Sequence, residues 1–221
     1  MTSGLYHAEP EFKDVLDYCA DKLKPHVGLD IRDVLYPREE KSPEAEQELK
    51  KTSIVQPVLF SIEYALAKLW ISRGINPAAL IGHSIGEYVA ACLSGVLSLD
   101  EALWLVARRG SIIQNLSPGS MLSIPLSEKE VSAYIGDGLA IAAINGDDLC
   151  VVSGEKEGIR LLADKLSENN IASRLLQTSH AFHSPMMEPA CGTYIEEVKK
   201  VALKEPQIPY ISNVTGAWMS M

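Results

Sequence analysis

"LIGHSIGEY", residues 80–88, sets a serine between two glycines directly after a short apolar run. Gly82-His83-Ser84-Ile85-Gly86 fits G-x-S-x-G, a pattern in which the serine takes a strained backbone position on a corner and the glycines avoid a steric collision. The flanks agree. "NPAALIGHS" is a short strand after a turn, and "IGEYVAACLSGV" is a helix beginning at the serine. The Ser84 hydroxyl then lies at a helix N-terminus, where the backbone N–H of Ile85 can hold an oxyanion. A strand-to-helix corner of this kind assigns the chain to the α/β class.

Working outward, "TSIVQPVLFSIEYALAKLWISRG" is apolar all round from Val58 to Trp70, as a helix packed on several sides would be. Gln56 precedes that helix, Pro57 suits its first turn, and the amide of Gln56 is read first as satisfying local backbone. Upstream, Phe12, Val15, Leu16, Cys19 and Leu23 recur at helical spacing, whereas "PREEKSPEAEQELKKTS" is charged, poorly periodic and read as a solvated connection. Downstream, "SLDEALWLVARRGSIIQNL" is a helix over residues 99–116 capped by Ser98. Its apolar stripe runs Ala102, Leu105, Val106, Ile113 and Leu116, and Arg109 falls within it, while Arg108 shares the face of Glu101, Ser111 and Asn115. A guanidinium on an inward stripe calls for a carboxylate partner. That partner is one of the chain's 29 acidic residues or a substrate, unless the head snorkels to solvent.

From Met121 the rhythm changes. "MLSIPL" strand, "SEKEVSAYI" helix, "LAIAAIN" and "LCVVSGE" strands, "KEGIRLLADKLSENN" helix and "IASRLLQT" strand spell β-α-β-β-α-β, a ferredoxin-like unit. Asn145-Gly146-Asp147-Asp148 supplies the turn between its middle strands. "SHAFHSPMMEPACGTYIEEVKKVAL" is read as a helix and "QIPYISNVTG" as a final strand and turn, so Asn145 and Asn213 are read first as turn residues. The fold expected is α/β. An α/β-hydrolase-like core with a parallel sheet occupies 1–120 and 179–221, and a ferredoxin-like (α+β) subdomain is inserted over 121–178.

A serine hydroxyl needs a base, and only five histidines are available. Two of them, His180 and His183, lie together in "SHAFHSP", and either could reach Ser84 if the preceding strand returns the chain to the same sheet edge. His83 is read as structural, and His7 and His26 as surface residues. The formal charge of -9, with no basic run, argues against nucleic-acid binding. Four separated cysteines without a CxxC pair predict reduced, buried thiols, no zinc site and no disulfide framework. No apolar stretch approaches the ~18 residues needed to span a bilayer, and no signal peptide is visible, so a cytoplasmic protein away from membranes is expected.

Together "QPVLFSIEYALAKLW", "GHSIGEYVAACLSGVLSLDEAL", "RRGSIIQ", "NGDDLCVVSG", "HAFHSPMMEP" and "ISNVTG" resemble the malonyl-CoA:acyl-carrier-protein transacylase family, and most closely the acyltransferase domains of modular type I polyketide synthases. The resemblance implies that Ser84 is the acylated nucleophile, His183 its general base and Ile85 N–H an oxyanion donor. It makes Arg109, 25 residues beyond Ser84, the ligand of a malonyl carboxylate. It associates "HAFH", His180 to His183, with malonyl units, Phe182 filling the space that a branched unit would need, and leaves Gln56, His83 and Asn145 as possible support. No permanent cofactor or metal is implied. The implied substrates are malonyl-CoA and the phosphopantetheine thiol of an acyl carrier protein, with a neighbouring ketosynthase domain as a further partner, in polyketide or fatty-acid biosynthesis. The family's opening strand, its GQGSQ loop and its last helices have no counterpart in these residues, so the chain is read as a fragment lacking both ends, with Met1 an internal methionine. The alternatives are a serine hydrolase or thioesterase of α/β-hydrolase type, which needs a buried acid between Ser84 and His183, and an inactive structural fragment of a larger synthase.

Overall fold

The computed structural model describes residues 2–38 and 41–219. The chain forms two compact units, Met1–Ser111 with Ile195–Met221, and Ile112–Tyr194. The first contains α1 (Ser3–Ala8), α2 (Pro10–Val27), α3 (Ile31–Leu35), α4 (Ser42–Leu49), α5 (Thr52–Ser72), β1 (Leu80–Ile81), α6 (Gly86–Leu93), most of α7 (Leu99–Gln114) and β6 (Tyr210–Ile211). Proline at N1 and Gly28 at φ 79 delimit α2, as a pre-set φ and a left-handed stop should. Its stripe of Phe12, Leu16, Cys19, Ala20 and Leu23 is fully buried, and the helix packs on α5.

Three expectations for this unit are corrected. The charged connection holds a helix, α4, with proline in its first turn and Ala45 buried, because Glu, Gln, Ala and Leu favour helix even where periodicity is weak; Glu39 and Glu40 of that connection lie outside the described residues. The long helix begins at Thr52, so Pro57 lies inside it rather than in its first turn, and the Ser61 hydroxyl donates to the Pro57 carbonyl at 2.8 Å. This same α5 is also, by length and composition, apolar enough to cross a bilayer. Half of its most apolar stretch is nevertheless buried inside the protein, as in a core helix. Ser98 caps α7 as expected, exchanging bonds with Glu101 through its hydroxyl and its backbone N–H.

The parallel pairing is short. β1 pairs with β6 in the registers Leu80↔Tyr210 and Ile81↔Ile211, so the strand leading into the serine corner is fixed by residues near the end of the chain.

The second unit runs β2 (Ser120–Ile124), α8 (Glu128–Ser132), β3 (Leu139–Gly146), β4 (Leu149–Gly154), α9 (Lys156–Glu168) and β5 (Arg174–Leu175). Its sheet is antiparallel in the order β3-β4-β2-β5. Alternation puts Leu122 and Ile124 on one face opposite Val152 and Cys150, where they form a core with Val131, Ile159, Leu162 and Leu166 of the two helices. A Ser127–Glu130 capping box starts α8. β3 runs on through Asn145 and Gly146, because Gly146 pairs with Leu149; the turn is therefore Asp147-Asp148 alone. The segment read as one helix from Ser179 begins instead as an irregular loop. A 3₁₀ turn at Pro185–Met187 follows, and α10 spans Glu188–Val198. Of the cysteines, Cys19, Cys92 and Cys150 are buried but Cys191 is exposed. Burial pushes the Cys19 and Cys92 thiols up to about 12, which keeps them protonated and unreactive.

Candidate active site

The corner at residues 82–86 is built as its composition requires. Ser84 has φ 53, in the left-handed region that non-glycine residues avoid. A Cβ on Gly82 would sit 2.2 Å from the Gly86 carbonyl carbon and oxygen, so the backbone passes too close to itself for any side chain there. The N–H groups of Gly86, Glu87 and Tyr88 bond the carbonyls of His83, Ser84 and Ile85, opening α6. Among the described residues no acceptor takes the Ile85 N–H, which leaves that donor available beside Ser84. Asn213, read from sequence as a turn residue, clamps the corner: its side-chain amide donates to the Gly82 carbonyl, and its backbone N–H donates to Glu87 Oε1 at 2.8 Å.

His83 is exposed and lines a cavity of about 410 Å³ together with Glu63, Leu80, Ile81, Gly82 and Gly86. Neither Ser84 nor Arg109 lines it. Glu63 forms no hydrogen bond or ion pair among the described residues, and burial alone raises its pKa.

The two arginines of α7 are both partly buried but differ in their partners. Arg108 pairs with the buried Glu197 at 3.1 Å. Arg109 forms no ion pair among the described residues. Its Nη1 donates to Gln56 Oε1, and its guanidinium carbon lies 5.9 Å from the centre of the Tyr88 ring. Gln56, 5% exposed, in turn donates from Nε2 to Thr52 Oγ1 at 2.7 Å, with Thr52 only 1% exposed. The amide oxygen thus faces the cation and the amide nitrogen the hydroxyl, so Gln56 is an orienting group for Arg109. Sequence reasoning misses Thr52 and Tyr88. For Thr52 the available signal is its four-residue spacing from Gln56 on the same helix, which places the two on one face.

In the second unit the loop 178–184 carries the two histidines. Gly119 lets it approach closely, since a Cβ there would lie 2.6 Å from that of Ala181, and the Ser153 hydroxyl donates to the Phe182 carbonyl at 2.7 Å. His180 is 2% exposed, with Nδ1 2.8 Å from Ser179 Oγ. Burial lowers its pKa despite a hydrogen bond to the Leu116 carbonyl, so it sits neutral inside the unit. His183 is exposed and has φ 58, a second left-handed residue. Phe182 is partly buried, its ring 6.2 Å from that of His180. Asn145 is exposed near the end of β3. The first unit therefore brings together Gln56 and Arg109 and carries His83, Ser84 and Ile85; Asn145, His180, Phe182 and His183 belong to the second. Among the described residues no His, Cys, Asp and Glu cluster is arranged to hold a metal ion.

Residues 1–220 match the family described as acyl transferase domain. A phenolphthiocerol/phthiocerol polyketide synthase of Mycobacterium tuberculosis is 36% identical over 220 residues, covering 100% of this chain and 14% of that protein. The acyl transferase domain of SpnD, solved in complex with 2-(pent-4-yn-1-yl)malonyl, is 36% identical with a TM-score of 0.89, over 100% of this chain and 52% of that one. FabD from Acinetobacter baumannii is 26% identical with a TM-score of 0.84, over 100% of this chain and 70% of that one. The chain thus spans about one seventh of the mycobacterial synthase and about half of the SpnD domain. With the strained serine corner and a single sequence family running from end to end, the chain belongs to the acyl transferase domain family of polyketide synthases.

Proposed function

We propose that this chain transfers a malonyl unit from malonyl-CoA to the phosphopantetheine thiol of an acyl carrier protein, through an ester on Ser84. Arg109 carries the reading: a guanidinium on the inward stripe of α7, held by a neutral amide and an aromatic face, with no acid of its own among the described residues. A half-buried cation left without a carboxylate in the free protein is suited to receive one from a ligand. The α-carboxylate of malonyl supplies it, and simple hydrolysis of a neutral ester would leave Arg109 without a purpose.

In this mechanism His183 takes the proton from Ser84 Oγ as the oxygen attacks the thioester carbonyl. The Ile85 N–H donates to the oxyanion that forms. Collapse breaks the carbon–sulfur bond, and the CoA thiolate leaves with the proton returned from His183. The carrier thiol then repeats the sequence on the malonyl-serine ester, restoring the Ser84 hydroxyl. The left-handed backbone at both Ser84 and His183 supports these roles, since strain of this kind is retained where a side chain must be presented in one direction. Phe182 restricts the space beside the malonyl α-carbon and His180 positions the loop.

The same reading takes the first unit, with its parallel β1–β6 pair, as part of an α/β-hydrolase-like core over 1–120 and 179–221. It takes the β-α-β-β-α-β order and β3-β4-β2-β5 sheet as a ferredoxin-like subdomain over 121–178. The partners are an acyl carrier protein and a neighbouring ketosynthase domain, the setting is cytoplasmic, and no permanent cofactor takes part.

Intact-mass measurement after incubation with malonyl-CoA tests the proposal. One malonyl group should be retained on the protein and lost in Ser84→Ala. Release of free malonate without accumulation would mean a hydrolase, and no label at all an inactive structural piece; either result overturns the reading.

A further inference from the structure

We infer that Tyr88 is a positioning residue that sets the preference for carboxylate-bearing acyl groups, by holding the plane of the Arg109 guanidinium. The inference rests on the reading of Arg109 as the carboxylate ligand. Three helices meet at this cation: Gln56 comes from α5, Tyr88 from α6 and Arg109 from α7. The Tyr88 ring lies 5.9 Å from the guanidinium carbon, within the range of a cation–π contact. Gln56 uses one donor of the guanidinium through Nη1, and Gln56 is itself fixed through Thr52.

The chemistry of these two neighbours is what matters. A guanidinium carries five N–H donors in one plane. An acidic partner would occupy an edge of that plane and cancel the charge, as Glu197 does for Arg108 at 3.1 Å. An aromatic face lies against the cation without consuming an in-plane donor, and it leaves the charge uncancelled. A neutral amide takes one donor and also leaves the charge. The pair Gln56 and Tyr88 therefore fixes the orientation of Arg109 while keeping an edge free for two parallel bonds to a carboxylate. Tyr88 lies in the first turn of α6, the helix that opens two residues after Ser84, so a short stretch of chain links the acylated residue to the support of the carboxylate clamp.

The test uses Ser84→Ala protein, which binds CoA thioesters without turning them over, and compares malonyl-CoA with acetyl-CoA by calorimetry. Tyr88→Leu on this background should weaken malonyl-CoA about five- to tenfold, the range of a partly desolvated cation–π contact, and leave acetyl-CoA unchanged. Tyr88→Phe, which keeps the ring face, should retain the parent's preference. In protein with Ser84 intact, Tyr88→Leu should raise KM for malonyl-CoA at nearly constant kcat. An unchanged malonyl-to-acetyl ratio in Tyr88→Leu, or equal weakening of both thioesters, overturns the inference while leaving Arg109 in place. A parent that binds both thioesters equally overturns the carboxylate reading and this inference with it.

Discussion

Of the four non-glycine residues with positive φ among the described residues, Thr2 is the N-cap of α1 and Asn170 follows α9, where asparagine tolerates a left-handed turn. Ser84 and His183 have no such local reason. Holding them there costs about 1–2 kcal/mol each, more than the ~0.5–1 kcal/mol that glycine loses through its freer unfolded chain. Ser84→Gly should therefore raise stability by about 0.5–1 kcal/mol while abolishing acylation, read as a higher urea midpoint at constant slope. Gly82→Ala should do the reverse, since its methyl would fall 2.2 Å from the Gly86 carbonyl; a loss of more than about 3 kcal/mol is expected. These two neighbours were legible from the pentapeptide because their constraint is local and steric. Helical periodicity set Arg109 within the apolar stripe and Arg108 on another face, and the resemblance, through the 25-residue step from Ser84, singled out Arg109. What periodicity could not disclose was the company Arg109 keeps, because an aromatic at i+4 reads equally well as core.

Among the elements, α5 carries an unusual burden: Glu63, partly buried on a mostly apolar helix, forms no hydrogen bond or ion pair among the described residues. Burial raises its folded pKa above 4.5, so the folded state holds this proton more tightly than the unfolded chain. Its penalty is absent below about pH 4.5 and develops as pH rises through the folded pKa, where the buried carboxylate ionises. Glu63→Gln should accordingly raise the thermal midpoint near pH 8 and leave it unchanged near pH 4, a difference readable by calorimetry. An equal shift at both pH values would assign the effect to packing. α5 also shows why element boundaries were harder to read than element types. Its apolar run begins at Val58, but the helix starts at Thr52, where polar residues bury themselves by bonding one another. α4 was missed for the complementary reason: a single buried alanine leaves no apolar stripe to detect. The irregular segment 178–184 looked helical because its composition permits a helix, and its real conformation depends on Gly119 and Ser153, distant in sequence.

At the scale of the molecule, the first unit joins residues far apart in the sequence. β6 supplies β1 with its pairing partner, and two residues later Asn213 holds the Gly82 carbonyl and the Glu87 carboxylate, across 131 and 126 positions. No local pattern announces such a clamp, since Asn213 sits in "SNVTG", where turn chemistry explains it fully. Its two bonds act on different sides of Ser84, one on the entering strand and one on the departing helix, so together they hold the corner's opening angle. Asn213→Ala removes only the side-chain bond, at a cost of about 1 kcal/mol, and leaves the carbonyl of Gly82 without its donor. The corner should then relax, and because the nucleophile rather than the carboxylate ligand is displaced, acylation by malonyl-CoA and acetyl-CoA should fall together, through kcat more than KM. Asn213→Asp, which cannot donate to that carbonyl when ionised, should match the alanine variant or exceed it by repulsion from Glu87. A selective loss of malonyl transfer in either variant would instead mean that the clamp acts on Arg109, and that corner and cation do not divide the labour of catalysis and selection between them.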